Sequence, residues 1–103
     1  MKFHQHIEFA MKEYKKFEDL KFNPHPRVEG IQARMDFDNG YGISVIQGPY
    51  FYCDGPHEYE VAVFKGDHLT YETPITDDVI GHVGSAEVTD IMRQIQDLPK
   101  AEK

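Results

Sequence analysis

Helical apolar stripes near both ends of the chain, with strand-like alternation between them, predict an α+β domain. The expected order is an N-terminal helix, a four-stranded antiparallel meander and a C-terminal helix, stacked as a two-layer sandwich with both helices on one face of the sheet. Three observations carry this. Phe3, Ile7, Met11, Tyr14 and Phe17 recur at spacings of four and three; Val88, Ile91, Met92, Ile95 and Leu98 do the same near the other end; and between them separate segments, at 31–37, 41–45 and 58–65, carry apolar residues at every second position.

The first stripe predicts a helix from about His4 to Leu20, with lysines and glutamates on its outer side. The Asn23-Pro24-His25-Pro26-Arg27 run ends it, because proline lacks an amide proton and disfavours helical geometry at the residue before it. This run is expected to be a bare connector. Ile31, Ala33, Met35 and Phe37 then alternate with Gln32, Arg34 and Asp36, which marks a strand with one buried face. Asp38-Asn39-Gly40 is expected to supply the positive backbone angles of a tight hairpin turn, and Tyr41, Ile43 and Val45 return on a second strand. Gly48-Pro49 ends that strand and opens a loop.

A third strand is expected from Glu58 to Lys65, with Tyr59, Val61 and Val63 on one face. Gly66-Asp67 turns it into a fourth, His68 to Glu72. Pro74 closes the sheet, and the run Ile75 to Val83 is expected to cross it in extended or single-turn form. Ser85 is the expected N-cap of the second helix, which Pro99 terminates. The whole chain, 1–103, reads as one domain with 1–3 and 100–103 frayed.

Composition excludes several classes of function. A domain of this length hides only about two-thirds of the surface of its unfolded chain, so most of its apolar residues are needed for packing. Eighteen acidic against eleven basic residues give a net charge of −7, which a phosphate backbone repels, so direct nucleic-acid binding is not expected. One cysteine makes no internal disulfide. No run approaches the roughly 18 apolar residues of a membrane span. The expectation is a cytoplasmic protein without membrane contact.

The candidate reaction chemistries are each outweighed by a plainer role. Ser44 lies between strand residues and Ser85 caps a helix, so neither stands on the strained turn that exposes a nucleophile. Cys53 and His57 are close enough in sequence to meet, but Asp54, Glu58 and Glu60 around them oppose formation of a thiolate. The six histidines His4, His6, His25, His57, His68 and His82 form no recognised ligand spacing. Thr76, Asp77 and Asp78 lack the further oxygens of a calcium loop and suit a bend. Gly40-Tyr41-Gly42 enters a strand, whereas phosphate loops enter a helix. No catalytic residue, no metal and no cofactor is expected.

Two features point to recognition instead. Tyr50, Phe51 and Tyr52 sit in a loop bounded by Gly-Pro pairs, and alternation turns Phe51 inward while Tyr50 and Tyr52 face out as rigid contact groups. Packing of this loop over one end of the sheet is the competing role. Residues 29–98 carry thirteen carboxylates against Arg34, Lys65 and Arg93, a net of −10, while residues 2–21 net +1. Such a lopsided field speeds encounter with a basic partner. The candidate binding residues are therefore Tyr50, Phe51, Tyr52, Asp54, Glu58, Glu60, Asp36, Asp38, Asp77 and Asp78. The competing role of the charge is solubility.

The run from Phe37 to Phe64, with its Asn-Gly-Tyr-Gly-Ile-Ser-Val strand and Tyr-Glu-Val-Ala-Val strand, continues to Thr-Pro-Ile-Thr-Asp-Asp-Val-Ile-Gly at 73–81 and the helix ending at Leu98-Pro99. It resembles a family of small acidic proteins of uncharacterised function encoded by tailed bacteriophages, whose loop at the position of Cys53 to His57 is richer in glycine. The resemblance implies a phage accessory protein in a bacterial cytoplasm and transfers no functional residue.

Together these readings favour a non-enzymatic protein that binds a basic host or phage protein, for instance by occupying the groove of a nucleic-acid-binding or defence protein in place of phosphate. The alternatives are a small-ligand or nucleotide-binding module using Tyr50, Tyr52, His57 and Asp77, and a minor virion component. Edge strands of the meander leave pairing into a homodimer open.

Overall fold

Strand β3, Tyr41–Gln47, is the centre of the molecule. In the computed structural model, which describes residues 13–76 and 78–101, it is flanked antiparallel by β2 (Ile31–Asp36) and β4 (Tyr59–Lys65). The register lines up Ala33, Val45 and Val61 across the three strands, and Met35, Ile43 and Val63 beside them. Because strand side chains alternate, this row forms one apolar face. Helix α1, Ser85–Gln96, covers it with Val88, Ile91, Met92 and Ile95 at the three- and four-residue spacing of its stripe. Ile43, Val45, Val61, Val63, Val88, Met92 and Ile95 are fully buried there. Each such side chain contributes roughly 1.5–3 kcal/mol relative to leaving it in water.

The expected meander is present, but the sheet is larger than four strands. Among the described residues it has six, in the order β1-β2-β3-β4-β5, with β6 also on β4. The Asn23-Pro24 pair is no bare connector: it forms the short edge strand β1, paired through Asn23 with Gln32 and Pro24 with Ile31. Proline is acceptable there because an edge strand needs donors on one side only. The fourth expected strand shrinks to β5, His68–Leu69, opposite Phe64 and Lys65. The crossing segment supplies β6, Ile80–Val83, which takes the other part of the same β4 edge. Two short strands thus share one edge that the sequence assigned to a single longer one.

The expected N-terminal helix falls largely on residues 1–12, outside the described residues. Its remainder is not helical: residues 13–16 are irregular, and only Phe17–Asp19 forms a single 3-10 turn. The physical reason is tertiary. The Lys15 amide donates to Gln96 Oε1 at 2.8 Å, Gln96 Nε2 donates back to the Lys15 carbonyl at 2.8 Å, and the Phe17 amide donates to Thr89 Oγ1 at 3.0 Å. Backbone groups that an isolated helix would pair internally are taken by side chains of α1. Phe17 then packs with Phe22 and Tyr59, the three ring centroids lying 5.2–5.7 Å apart.

Two local expectations are also corrected. The N-cap of α1 is Gly84, with Ser85 as the first helical residue; the Glu87 carboxylate accepts the Gly84 amide at 3.1 Å. In the hairpin at residues 37–41, only Gly40 has a positive φ, +90°. The Gly40 amide donates to the Phe37 carbonyl and the Phe37 amide to that of Tyr41. This is the three-residue loop with glycine at the left-handed position, a looser turn than the two-residue hairpin expected.

Candidate functional site

The loop after β3 is held to the sheet by carboxylates. Glu60, on β4, accepts the Tyr52 amide at 2.9 Å, and Glu58 accepts the Asp54 amide through Oε1 at 2.9 Å. Phe51 is half-buried, its ring 5.3 Å from that of His25. Tyr50 and Tyr52 are the most open large apolar residues in the described chain, at 73% and 65% exposure. The loop is therefore fixed by its backbone while two aromatic rings remain in solvent.

Its far side rests on β6. Val61 pairs with Ile80 and Tyr59 with Val83, so Glu60 on β4 is faced by both Gly81 and His82. This two-against-one arrangement is a β-bulge. His82 has a φ of +56°, a conformation in which histidine is one of the more frequent residues other than glycine. Its amide donates to the Tyr52 carbonyl at 2.7 Å. Gly81 lies so close under Tyr52 that a Cβ there would be 2.5 Å from the tyrosine Cβ.

The bulge turns the His82 ring toward the loop carboxylates. Nδ1 lies 3.0 Å from Glu58 Oε1 and 3.6 Å from Asp54 Oδ2. A carboxylate only accepts, so Nδ1 carries the proton in this hydrogen bond. The Asp54 amide, and after it the His82 ring, hold the Glu58 carboxyl below the usual glutamate range by stabilising its charged form. Asp54, Glu58 and His82 present three donor atoms within 4.8 Å of one another.

The residues nominated from the sequence separate into distinct places. Tyr50, Phe51, Tyr52, Asp54, Glu58 and Glu60 gather at the loop. Asp36 and Asp38 lie at the hairpin, which the seven residues of β3 separate from the loop. At a strand rise near 3.3 Å per residue, that separation is about 20 Å. Asp78 is exposed on the segment leading into β6, and Asp77 lies outside the described residues. The Cys53 thiol, half-buried, is 3.5 Å from the Gly48 carbonyl. The histidine that meets the loop carboxylates is His82, with His57 exposed beside them in sequence. His82 is 24 residues from Glu58, and only the β4–β6 pairing closes that gap.

No protein-family model, curated protein or solved structure matches the chain. The site therefore stands on its own chemistry. Among the described residues no helix is long and apolar enough to cross a membrane. An open cleft of about 860 Å³ lies at the hairpin end, against Leu69, Tyr71 and Lys65. Of the described residues nominated for binding, only Asp38 lines it.

Proposed function

We propose that the protein is a non-enzymatic bacteriophage accessory protein that binds a basic host or phage protein through the surface formed by residues 50–60. The phage attribution is supported by the sequence resemblance alone. The binding reading is supported by one observation above the rest: Tyr50 and Tyr52 are open to solvent on a loop whose backbone is already fixed by Glu58 and Glu60. Rigid aromatic groups lose little conformational entropy on contact, and they supply the anchors of many interfaces. Asp54 stands beside them with its carboxylate 87% exposed, so a cationic partner meets negative charge at the rim and rings at the centre.

The test is capture from bacterial lysate by the wild-type chain and by the Tyr50→Ala/Tyr52→Ala variant. The expected result is a basic protein retained at low salt, weakened at high salt, and lost from the double variant. Capture that ignores both salt and the two tyrosines would sink the reading.

The cleft at Leu69 and Tyr71 favours a second reading, a small-ligand module with its site at the hairpin end, away from Tyr50, Tyr52 and His57. A nucleotide binding there at 100 times its dissociation constant stabilises the native state by about 2.7 kcal/mol. For a domain of this size that corresponds to roughly 10–20 °C in Tm. A flat response across a nucleotide series counts against it.

A further inference from the structure

We infer that Asp54, Glu58 and His82 form a surface site for one first-row divalent cation of the zinc class, independently of whether the loop also binds a protein. The set differs from a patch of surface acids in containing an aimed imidazole nitrogen. His82 Nδ1 faces both carboxylates at 3.0 and 3.6 Å, separations found between neighbouring ligands around an ion bound at about 2.0–2.2 Å from each. The three donors come from two segments that the fold joins by other means. His82 is set by the β6 bulge and by the hydrogen bond its amide donates to the Tyr52 carbonyl, and the loop by Glu60 and by the closeness of Tyr52 to Gly81. No lysine or arginine among the described residues pairs with Asp54 or Glu58; the side chain set against both carboxylates is the His82 imidazole. One nitrogen with two carboxylate oxygens is a donor set that zinc-class ions accept, and three protein ligands leave a position for water or for a partner's donor group. On binding, the ion takes the Nδ1 lone pair and the ring proton resides on Nε2; Glu58 keeps its bond from the Asp54 amide.

The test is isothermal titration of the chelator-treated full chain with zinc chloride. Alongside it the His82 ring nitrogens are followed by 15N NMR. One ion per chain is expected, with the His82 Nδ1 resonance moving on saturation. Magnesium and calcium should compete poorly, because both favour oxygen ligands over imidazole. His82→Asn keeps a residue that tolerates positive φ and should weaken binding by about tenfold or more. Asp54→Asn alters an exposed carboxylate whose loss leaves the fold intact, and should weaken it in the same sense. His57→Gln and the pair His4→Gln/His6→Gln should leave the titration unchanged. No saturable heat up to millimolar zinc would overturn the proposal. So would a His82 signal that stays still, or binding that disappears with His4 and His6 and persists without His82.

Discussion

The carbonyl oxygen of Tyr52 accepts the amide proton of His82 at 2.7 Å, joining the aromatic loop to the bulged strand β6. One hydrogen bond thus links the exposed tyrosines to the histidine that faces Asp54 and Glu58. Gly81, next to it in the chain, permits the approach. Its missing Cβ would lie 2.5 Å from the Tyr52 Cβ and 2.8 Å from the Tyr52 carbonyl oxygen, inside any real contact. Gly81→Ala is therefore expected to destabilise by roughly 1–3 kcal/mol, the usual cost of forcing a methyl group into a filled place. Urea denaturation measures the loss, and faster amide exchange at His82 shows that the loop has lifted. An alanine variant of wild-type stability with a protected His82 amide would show that loop and strand are not in contact.

Asn39 does more than turn the β2–β3 hairpin. Its Nδ2 donates to the carbonyls of Ile95 at 2.8 Å and Leu98 at 3.1 Å at the end of α1, where the Ile95 carbonyl also accepts the Leu98 amide at 3.1 Å. The Asn39 main-chain carbonyl accepts the Ala101 amide at 2.7 Å, so Ala101, placed in the fraying tail by the sequence, is held. Asn39→Ala should cost roughly 1–3 kcal/mol, since it removes both part-buried hydrogen bonds that tie the hairpin to the end of α1. Asn39→Asp should be no milder, because a carboxylate would then face two carbonyl oxygens. Thermal denaturation of the two variants decides it, and an aspartate that restored wild-type Tm would contradict the latch.

Met92 on α1 and Ile43 on β3 belong to the same core cluster, both fully buried. Met92→Ala should cost roughly 2–5 kcal/mol through lost transfer energy and a residual cavity, and Ile43→Val roughly 0.5–1.5 kcal/mol. Chemical denaturation that ranked them the other way would place the core elsewhere.

The Glu58 clamp should respond to acid. Its folded-state pKa is lowered, so the stabilisation is present above the ordinary glutamate range and is lost as pH falls through the lower folded value. The Asp54 amide, which donates to Glu58 Oε1, reports this directly by NMR. Its shift should titrate below the usual glutamate range in the wild type and lose that titration in Glu58→Gln. A midpoint at or above the ordinary range would show the carboxylate unsupported.

The strands β2, β3 and β4 were legible in the sequence because period-two alternation is a local property, and Ala33, Ile43, Val45, Val61 and Val63 lie on the face it predicted. The stripe of α1 was legible for the same reason. The helix expected to reach Leu20 was not formed over residues 13–20, although Tyr14 and Phe17 keep the helical spacing. Gln96 and Thr89 offer that backbone partners which no local pattern reveals. The loop aromatics and their acidic neighbours stand together in the sequence, whereas nothing local distinguishes His82 from the other five histidines.

Taken alone, the amino-acid order determined the fold class, the strands that carry the core and the acidic balance. Those properties follow from spacing and composition, which neighbouring residues set between themselves. Only the tertiary structure decided that β5 and β6 divide one edge of β4, that Asn39 closes the end of α1, and that His82 comes to Asp54 and Glu58. Each of these depends on pairing between segments far apart in the chain, where the stabilising contact is made with a partner that local sequence does not name.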